Sequence, residues 1–281
     1  MNNFAVFILT HKRADNIKTL KMLKKNGYTG NIYLVVDDED DTVEDYRKGY
    51  GDSVVVFSKE QAATITDTVD NESGRRGVVY ARNWVWQIAR DLGVEYFLVL
   101  DDDYVDIRHK YENDGMLKEK SCLKLDELFA SFVQFLKVSG ANTVALAQNG
   151  DFVGGKDGFF KKGLARKAMN SFFCATDRPF EFKGRINEDV NAYVSLGMRG
   201  ELFLTLTNIS IVQTQTQSQA GGLTEIYLDT GTYIKSFYSV IVAPSCVKVA
   251  EMGNKYRRLH HKISWNYCTP KILNERHRKG G

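Results

Sequence analysis

Three consecutive carboxylates, Asp101, Asp102 and Asp103, close the apolar run EYFLVL. Like charges this close repel one another. On an extended chain alternate side chains face opposite sides, so Asp101 and Asp103 project together while Asp102 points away. Two hard oxygen donors at a strand end suit Mg²⁺ or Mn²⁺, which need few protein ligands when a substrate diphosphate supplies the rest. A bound divalent cation would cancel the repulsion; the plainer alternative is a solvated acidic loop. A second acidic pair, Glu188 and Asp189, opens the segment NEDVNAYVSLGMRG. Carboxylates at a helix start suit the helix dipole, so capping alone accounts for them unless chemistry is added. A third candidate is the pair His260 and His261, set among Arg257, Arg258 and Lys262. Neutral imidazole is a fair Mn²⁺ ligand, although isolated histidines more often serve structure.

Such groups need a frame. The run FAVFILT (4–10) has the look of a buried parallel strand, as do NIYLVVDDED (31–40), DSVVVFS (52–58) and YFLVLDDD (96–103). Between them, RADNIKTLKMLKKNGY carries Ile17, Leu20 and Leu23 at helical spacing, with Gly27 as a stop. YARNWVWQIARDLGV (80–94) places Val85, Ile88, Ala89 and Leu92 on one helical face. Strands alternating with helices imply βαβ units and a mostly parallel sheet, whose ligands sit at the carboxyl ends of the strands. Three such ends here are polar: Thr10-His11, Asp37-Asp38 and Asp101 to Asp103. Beyond them the chain predicts a helix over 125–140, a strand over 143–150, a glycine-rich turn over 154–163, a helix over 187–200 and a strand over 202–214. The polar stretch 215–225 is a candidate lid.

Composition bounds the answer. The 281 residues are 43% hydrophobic and 26% charged, as expected of a chain that folds around one substantial core. The net charge of +3 does not by itself announce a nucleic-acid binder, but basic residues gather from Lys248 onward. Four scattered cysteines without a CxxC pair argue against a thiolate zinc site or a disulfide scaffold, and favour reduced thiols in a cytosolic compartment. No apolar run approaches the roughly 20 residues that span a bilayer. The first residues read as a strand, without the basic region and cleavage site of a signal peptide.

The segment VVYARNWVWQIARDLGVEYFLVLDDD leads an Ala-Arg-Asn helix through Gly93 into the aspartate strand. It resembles the nucleotide-sugar glycosyltransferases with a GT-A fold, particularly the large inverting family with an A-R-N helix followed by a D-x-D strand. ILTHKRADNIKTLKML is similar to that family's first strand and helix, and YLVVDDEDD to its second strand, whose acidic end meets the nucleoside. The resemblance implies an α/β fold with a Rossmann-like, mostly parallel sheet flanked by helices and a small acceptor-side region. It implies one domain over 1–281: a nucleotide-sugar-binding half (1–105), an acceptor and catalytic half (106–245) and a basic C-terminal segment (246–281). It places Thr10, His11 and Arg13 along the nucleotide pocket and Asp37 or Asp38 against the base. Arg75 or Arg76, with Arg82 and Asn83, would contact the donor, and Asp102 the ribose. Asp101 or Asp103 would bind Mn²⁺ or Mg²⁺, with His260 or His261, preferably His260, as a further ligand. Asn187-Glu188-Asp189 resembles the family's x-E-D element, which makes Asp189 the general base and Glu188 the residue that orients the acceptor.

Taken whole, FAVFILTHKRADN, GRRGVVYARN, LDDDY and FFCATDRPFEFKGRINED look similar to a narrower group, the phage TET-associated glycosyltransferases, related to the base-J-associated glucosyltransferases. That likeness implies transfer from a UDP-sugar to the hydroxymethyl group of 5-hydroxymethylcytosine, or a related 5-hydroxymethylpyrimidine, in DNA. It also implies a cytoplasmic location, in a bacterial host cell if the gene is phage-borne, without a membrane partner. Phe172, Phe173, Phe180 and Phe182 stand just before the acidic pair, to stack a sugar or base or simply to pack a core. Two other readings stay open: a GT-A enzyme acting on a protein or polysaccharide, and a metal-dependent nuclease or nucleotidyltransferase. The sequence names neither the sugar nor the oligomeric state.

Overall fold

A computed structural model describes residues 3–149, 171–214, 234–252, 258–268 and 272–279. The glycine-rich turn and the candidate lid fall outside them. The α/β frame anticipated from the sequence is the one observed: a large, mostly parallel sheet flanked by helices. Its nine strands are β1 (Phe4–Leu9), β2 (Asn31–Asp37), β3 (Val54–Phe57), β4 (Tyr96–Asp101), β5 (Tyr104–Asn113), β6 (Met116–Ser121), β7 (Thr143–Gln148), β8 (Ser171–Ala175) and β9 (Phe203–Gln213). They lie in the order β3-β2-β1-β4-β8-β7-β9-β5-β6. All run one way except β8 and β5.

Alternation along β1 builds two cores. Phe4, Val6 and Ile8 join the cluster beneath α1 (Lys18–Lys25) and α5 (Leu125–Ser139). Ala5, Phe7 and Leu9 join the cluster beneath α4 (Val79–Asp91). Every residue of β1 is buried, and each large apolar side chain so placed stabilises by about 1.5–3 kcal/mol. The four phenylalanines before the acidic pair also go to core: Phe173 packs on Phe132, Phe180 and Phe182 pack on Trp86, and Phe172 packs on Phe180 and Phe182. Stacking of a ligand, one of the two uses considered for them, is not available to rings buried this way.

The topology also locates the crevice. From β1 the chain moves outward to β2 and β3, then crosses back to lay β4 on the other side of β1. Ligands of such sheets sit outside the carboxyl ends of the strands where the order reverses. Here those ends carry Thr10 to Arg13 and Asp101 to Asp103. The remaining helices are α2 (Val43–Tyr50), α3 (Lys59–Ala63), α6 (Glu188–Met198), α7 (Ile234–Val242) and α8 (Trp265–Cys268). A two-stranded sheet, β10 (Val247–Met252) with β11 (Arg258–Ile263), packs with α6 and α7 around a smaller cluster of Val190, Tyr193, Val194, Ala243 and Val247. All four cysteines are free thiols. Among the described residues, no helix is long and apolar enough to cross a membrane.

Candidate active site

The first layer comes from β1. Thr10 Oγ1 donates to Asp102 Oδ2 at 2.8 Å, and Arg13 Nη1 meets Asp102 Oδ1 at 2.5 Å. Both oxygens of the buried Asp102 are therefore held by two of the residues expected beside it. Tyr46 closes the unit, its hydroxyl lying 2.9 Å from Thr10 Oγ1 and accepting from the Arg13 backbone N–H. Beside it, Asp37 at the end of β2 receives Lys59 Nζ at 3.1 Å and lies 2.9 Å from His11 Nδ1. Burial alone would raise the Asp37 carboxyl, but His11 and Lys59 outweigh it and hold it below the ordinary value. Asp38 differs: its Oδ1 caps α3 by accepting from the Lys59 backbone N–H.

The second layer joins two distant motifs. Arg82, at the start of α4, is almost fully buried at 1% exposure. Its Nη2 donates to Asp101 Oδ1 and its Nε to Glu188 Oε1, each at 2.8 Å. One guanidinium thus bridges the end of β4 and the first residue of α6. Its third nitrogen, Nη1, is buried without a hydrogen-bond partner. The rings of Phe172 and Phe182 sit 5.7 Å from the guanidinium carbon and wall it off. One cation cannot neutralise so many acids. Burial, only partly offset by Arg82, pushes Asp101 up to about 6 and Glu188 up to about 7. Asp189, next along α6, accepts from the Val190 backbone N–H through Oδ1 at 2.7 Å, and its Oδ2 takes no hydrogen bond from a described residue. Asp103 is steadied from β9, where Gln213 Nε2 donates to both its oxygens at 3.1 and 3.2 Å. Burial also raises Asp102 and Asp103.

Other expected site residues are placed differently. Asn83 uses its amide on the backbone of Phe182, donating to its carbonyl at 3.0 Å and accepting from its N–H at 2.8 Å. It shapes the loop that leads to Glu188. Arg75 pairs with Glu39 and Arg76 with Glu72, all half-exposed. The loop that carries them hangs on a residue the sequence did not single out. Arg185, at 1% exposure, forks onto both oxygens of Asp70 and donates to the carbonyls of Glu72, Gly74 and Arg76. Tyr238 of α7 adds a hydroxyl donated to Asp70. The partners of Arg185 are more than a hundred residues away in sequence, so only the tertiary fold discloses it.

His260 and His261 lie side by side on β11, with ring centroids 4.2 Å apart. Burial, helped by His260 and Lys235, lowers His261 to about 3, so it is neutral at physiological pH. Its Nδ1 faces the Asn187 amide at 3.3 Å. His260 Nδ1 lies 2.7 Å from the His261 carbonyl and can only donate there.

A sequence profile of the TET-associated glycosyltransferases matches residues 4–222. The chain belongs to the TET-associated glycosyltransferase family. It is therefore a glycosyltransferase. The matched span holds the whole nine-stranded sheet and α1 to α6, including Asp101 to Asp103, Glu188 and Asp189; His260 lies beyond it. No curated protein matches the chain. Among solved structures it is similar to glucosyl-3-phosphoglycerate synthase from Mycobacterium tuberculosis with Mn²⁺, UDP and phosphoglyceric acid, at 10% identity over 93% of this chain and 87% of that one, with a TM-score of 0.47. The mannosyltransferase PcManGT from Pyrobaculum calidifontis with GDP-Man and Mn²⁺ is similar at 13% identity over 86% and 73%, TM-score 0.47. S. aureus TarS 1-349 with UDP-GlcNAc follows at 12% identity over 86% and 71%, TM-score 0.44.

Among the described residues of this family member, no group of three or more His, Cys, Asp or Glu side chains is arranged to hold a metal ion on its own. Mg²⁺ and Mn²⁺ carried by a diphosphate do not require one, because one or two carboxylates complete their shell. The all-oxygen donors Asp101 and Asp103, in a pocket with more acid than base, fit such an ion.

Proposed function

We propose that this chain is an inverting, metal-dependent glycosyltransferase that moves a sugar from a UDP-sugar to the hydroxymethyl group of 5-hydroxymethylcytosine, or a related 5-hydroxymethylpyrimidine, in DNA. The observation that carries the proposal is the Arg82 bridge. It ties Asp101 at the end of β4 to Glu188, the residue next to Asp189, which supports a shared site for the two acidic motifs. Membership of the TET-associated family supports the acceptor class.

The roles follow from the bonding pattern. Asp189 is the general base, because its Oδ2 is available to accept the proton that the acceptor hydroxyl loses as it attacks the anomeric carbon. Glu188, pinned by Arg82, orients that hydroxyl. Thr10, Arg13 and Asp102 form the ribose-side wall, and Asp37 with His11 the base-side wall, with Asp38 behind it. Arg75 or Arg76 contacts the donor, and Arg82 and Asn83 brace the donor side. Asp101 and Asp103 would hold Mn²⁺ or Mg²⁺ together with the donor diphosphate, and the ion would neutralise charge on that diphosphate as it departs; His260, expected from the sequence as a further ligand, joins no such group among the described residues. The acceptor base reaches such a recessed site only from a single strand or flipped out of a duplex.

Two readouts test the proposal. UDP release from a UDP-sugar should depend on Mn²⁺ or Mg²⁺, and the product should carry the anomeric configuration opposite to the donor. A product that retains the donor's configuration contradicts the single-base mechanism.

A further inference from the structure

We infer that α1 and the β5–β6 ribbon form the platform that tracks the acceptor's DNA backbone away from the active site; this rests on the proposed DNA acceptor. α1 starts at the aspartates: the Thr19 N–H donates to the Asp102 carbonyl at 3.1 Å and Thr19 Oγ1 to the Asp101 carbonyl at 2.6 Å. The helix buries Thr19, Met22 and Leu23 and turns Lys18, Lys21, Lys24 and Lys25 outward. At 3.6 residues per turn, Lys18, Lys21 and Lys25 share one stripe about 10 Å long, the reach of about three phosphates along one strand.

The ribbon extends that surface. Ile107 of β5 packs in the same core cluster as Met22 and Leu23. His109 and Tyr111, two and four residues on, therefore continue on the side that α1 occupies, and both are exposed. They stack on each other with centroids 5.7 Å apart and planes at 19°. Across the ribbon, Lys120 stands opposite His109 and Lys118 opposite Tyr111, both exposed. Cross-strand partners share a face, so two aromatic rings and two ammonium groups lie together. The ribbon's Glu112 and Glu119 pair with Leu117 and Lys110 on the other face. None of Lys18, Lys21, Lys24, Lys25, Lys118 and Lys120 forms an ion pair with a described residue, whereas Arg276 is neutralised by Glu201 and Arg278 by Glu275. The cationic surface that begins at the site thus runs along α1 and the ribbon. Ammonium groups interleaved with open aromatic faces suit a nucleic-acid strand: phosphates take the charge, and an unstacked base takes the ring.

The test compares the triple variant Lys21→Glu/Lys25→Glu/Lys120→Glu with the charge-matched control Lys48→Glu/Arg90→Glu/Lys137→Glu, whose exposed residues lie on α2, α4 and α5. Anisotropy with labelled hydroxymethylated DNA is read across a salt series, beside UDP release from the donor alone. The platform variant is expected to lose at least about tenfold in DNA affinity and to flatten the salt slope by about one per phosphate-contacting lysine. The control should keep both, and donor turnover should be unchanged in either. Equal affinity and slope in the two variants, with the parent binding DNA, overturns the platform and leaves the DNA acceptor standing. A parent that neither binds nor modifies DNA overturns the acceptor assignment itself, and the platform with it.

Discussion

Arg185→Lys is the most informative single change to the frame of the site. The guanidinium makes five hydrogen bonds: two to the Asp70 carboxylate and one each to the carbonyls of Glu72, Gly74 and Arg76. An ammonium keeps the charge but donates at most about three and cannot fork. At least two acceptors lose their donor around a residue that is 1% exposed. Hydrogen bonds to charged groups are worth about 1.5–3 kcal/mol each, so the expected loss is about 3–5 kcal/mol, the range for breaking a buried pair. In a domain of this size that lowers Tm by about 6–20 °C. Differential scanning calorimetry reads the fall, and hydrogen exchange over 67–76 shows whether it is local to this loop. Asp70→Asn on the Arg185→Lys background should cost less than it does alone, because the fork is already gone. A Tm within about 2 °C of the parent, with unchanged exchange in the loop, would refute the anchoring role.

Other outcomes follow from the same geometry. Asp189→Asn should bind the donor normally yet lose transfer, since the amide cannot accept the proton; normal turnover by this variant removes the base assignment. Asp103→Ala should abolish the Mn²⁺-dependent part of UDP binding by calorimetry, and unchanged affinity would refute its metal role. Asp70 is held below its ordinary carboxylate value: burial would raise it, but Arg185, Tyr238 and the Glu72 backbone outweigh burial. Its stabilisation is therefore complete above the unfolded value near 3.8 and fades as pH falls through the lower folded value. The Tm gap between the parent and Asp70→Asn should shrink below about pH 4, and a gap constant to lower pH contradicts the linkage.

The apolar runs of β1, β2 and β4 and the periodicity of α4 and α5 were legible because strands buried on both faces and helices on one leave plain patterns. The helix that begins at Glu188 was equally visible from its acidic start. β8 was not recognised as a strand: SFFCA is a short apolar run with no alternation, and only its neighbours β4 and β7 show that it is antiparallel. The β5–β6 hairpin was missed although its turn was present, for Asp114 and Gly115 both adopt positive φ, as a two-residue hairpin turn requires. Its strands project past β9 and are polar on both faces, so the usual alternation is lost. Arg185 and the use of Asn83 on the Phe182 backbone depend on contacts about a hundred residues apart, beyond any local signal.

The central claim is best tested by mass spectrometry of nucleosides from 5-hydroxymethylcytosine DNA incubated with the protein, Mn²⁺ and a panel of UDP-sugars. A hexose- or N-acetylhexosamine-sized gain on the modified nucleoside is the predicted result, and it identifies the sugar class at once. UDP release with no mass gain on any nucleoside would contradict the DNA acceptor and move it to protein or glycan.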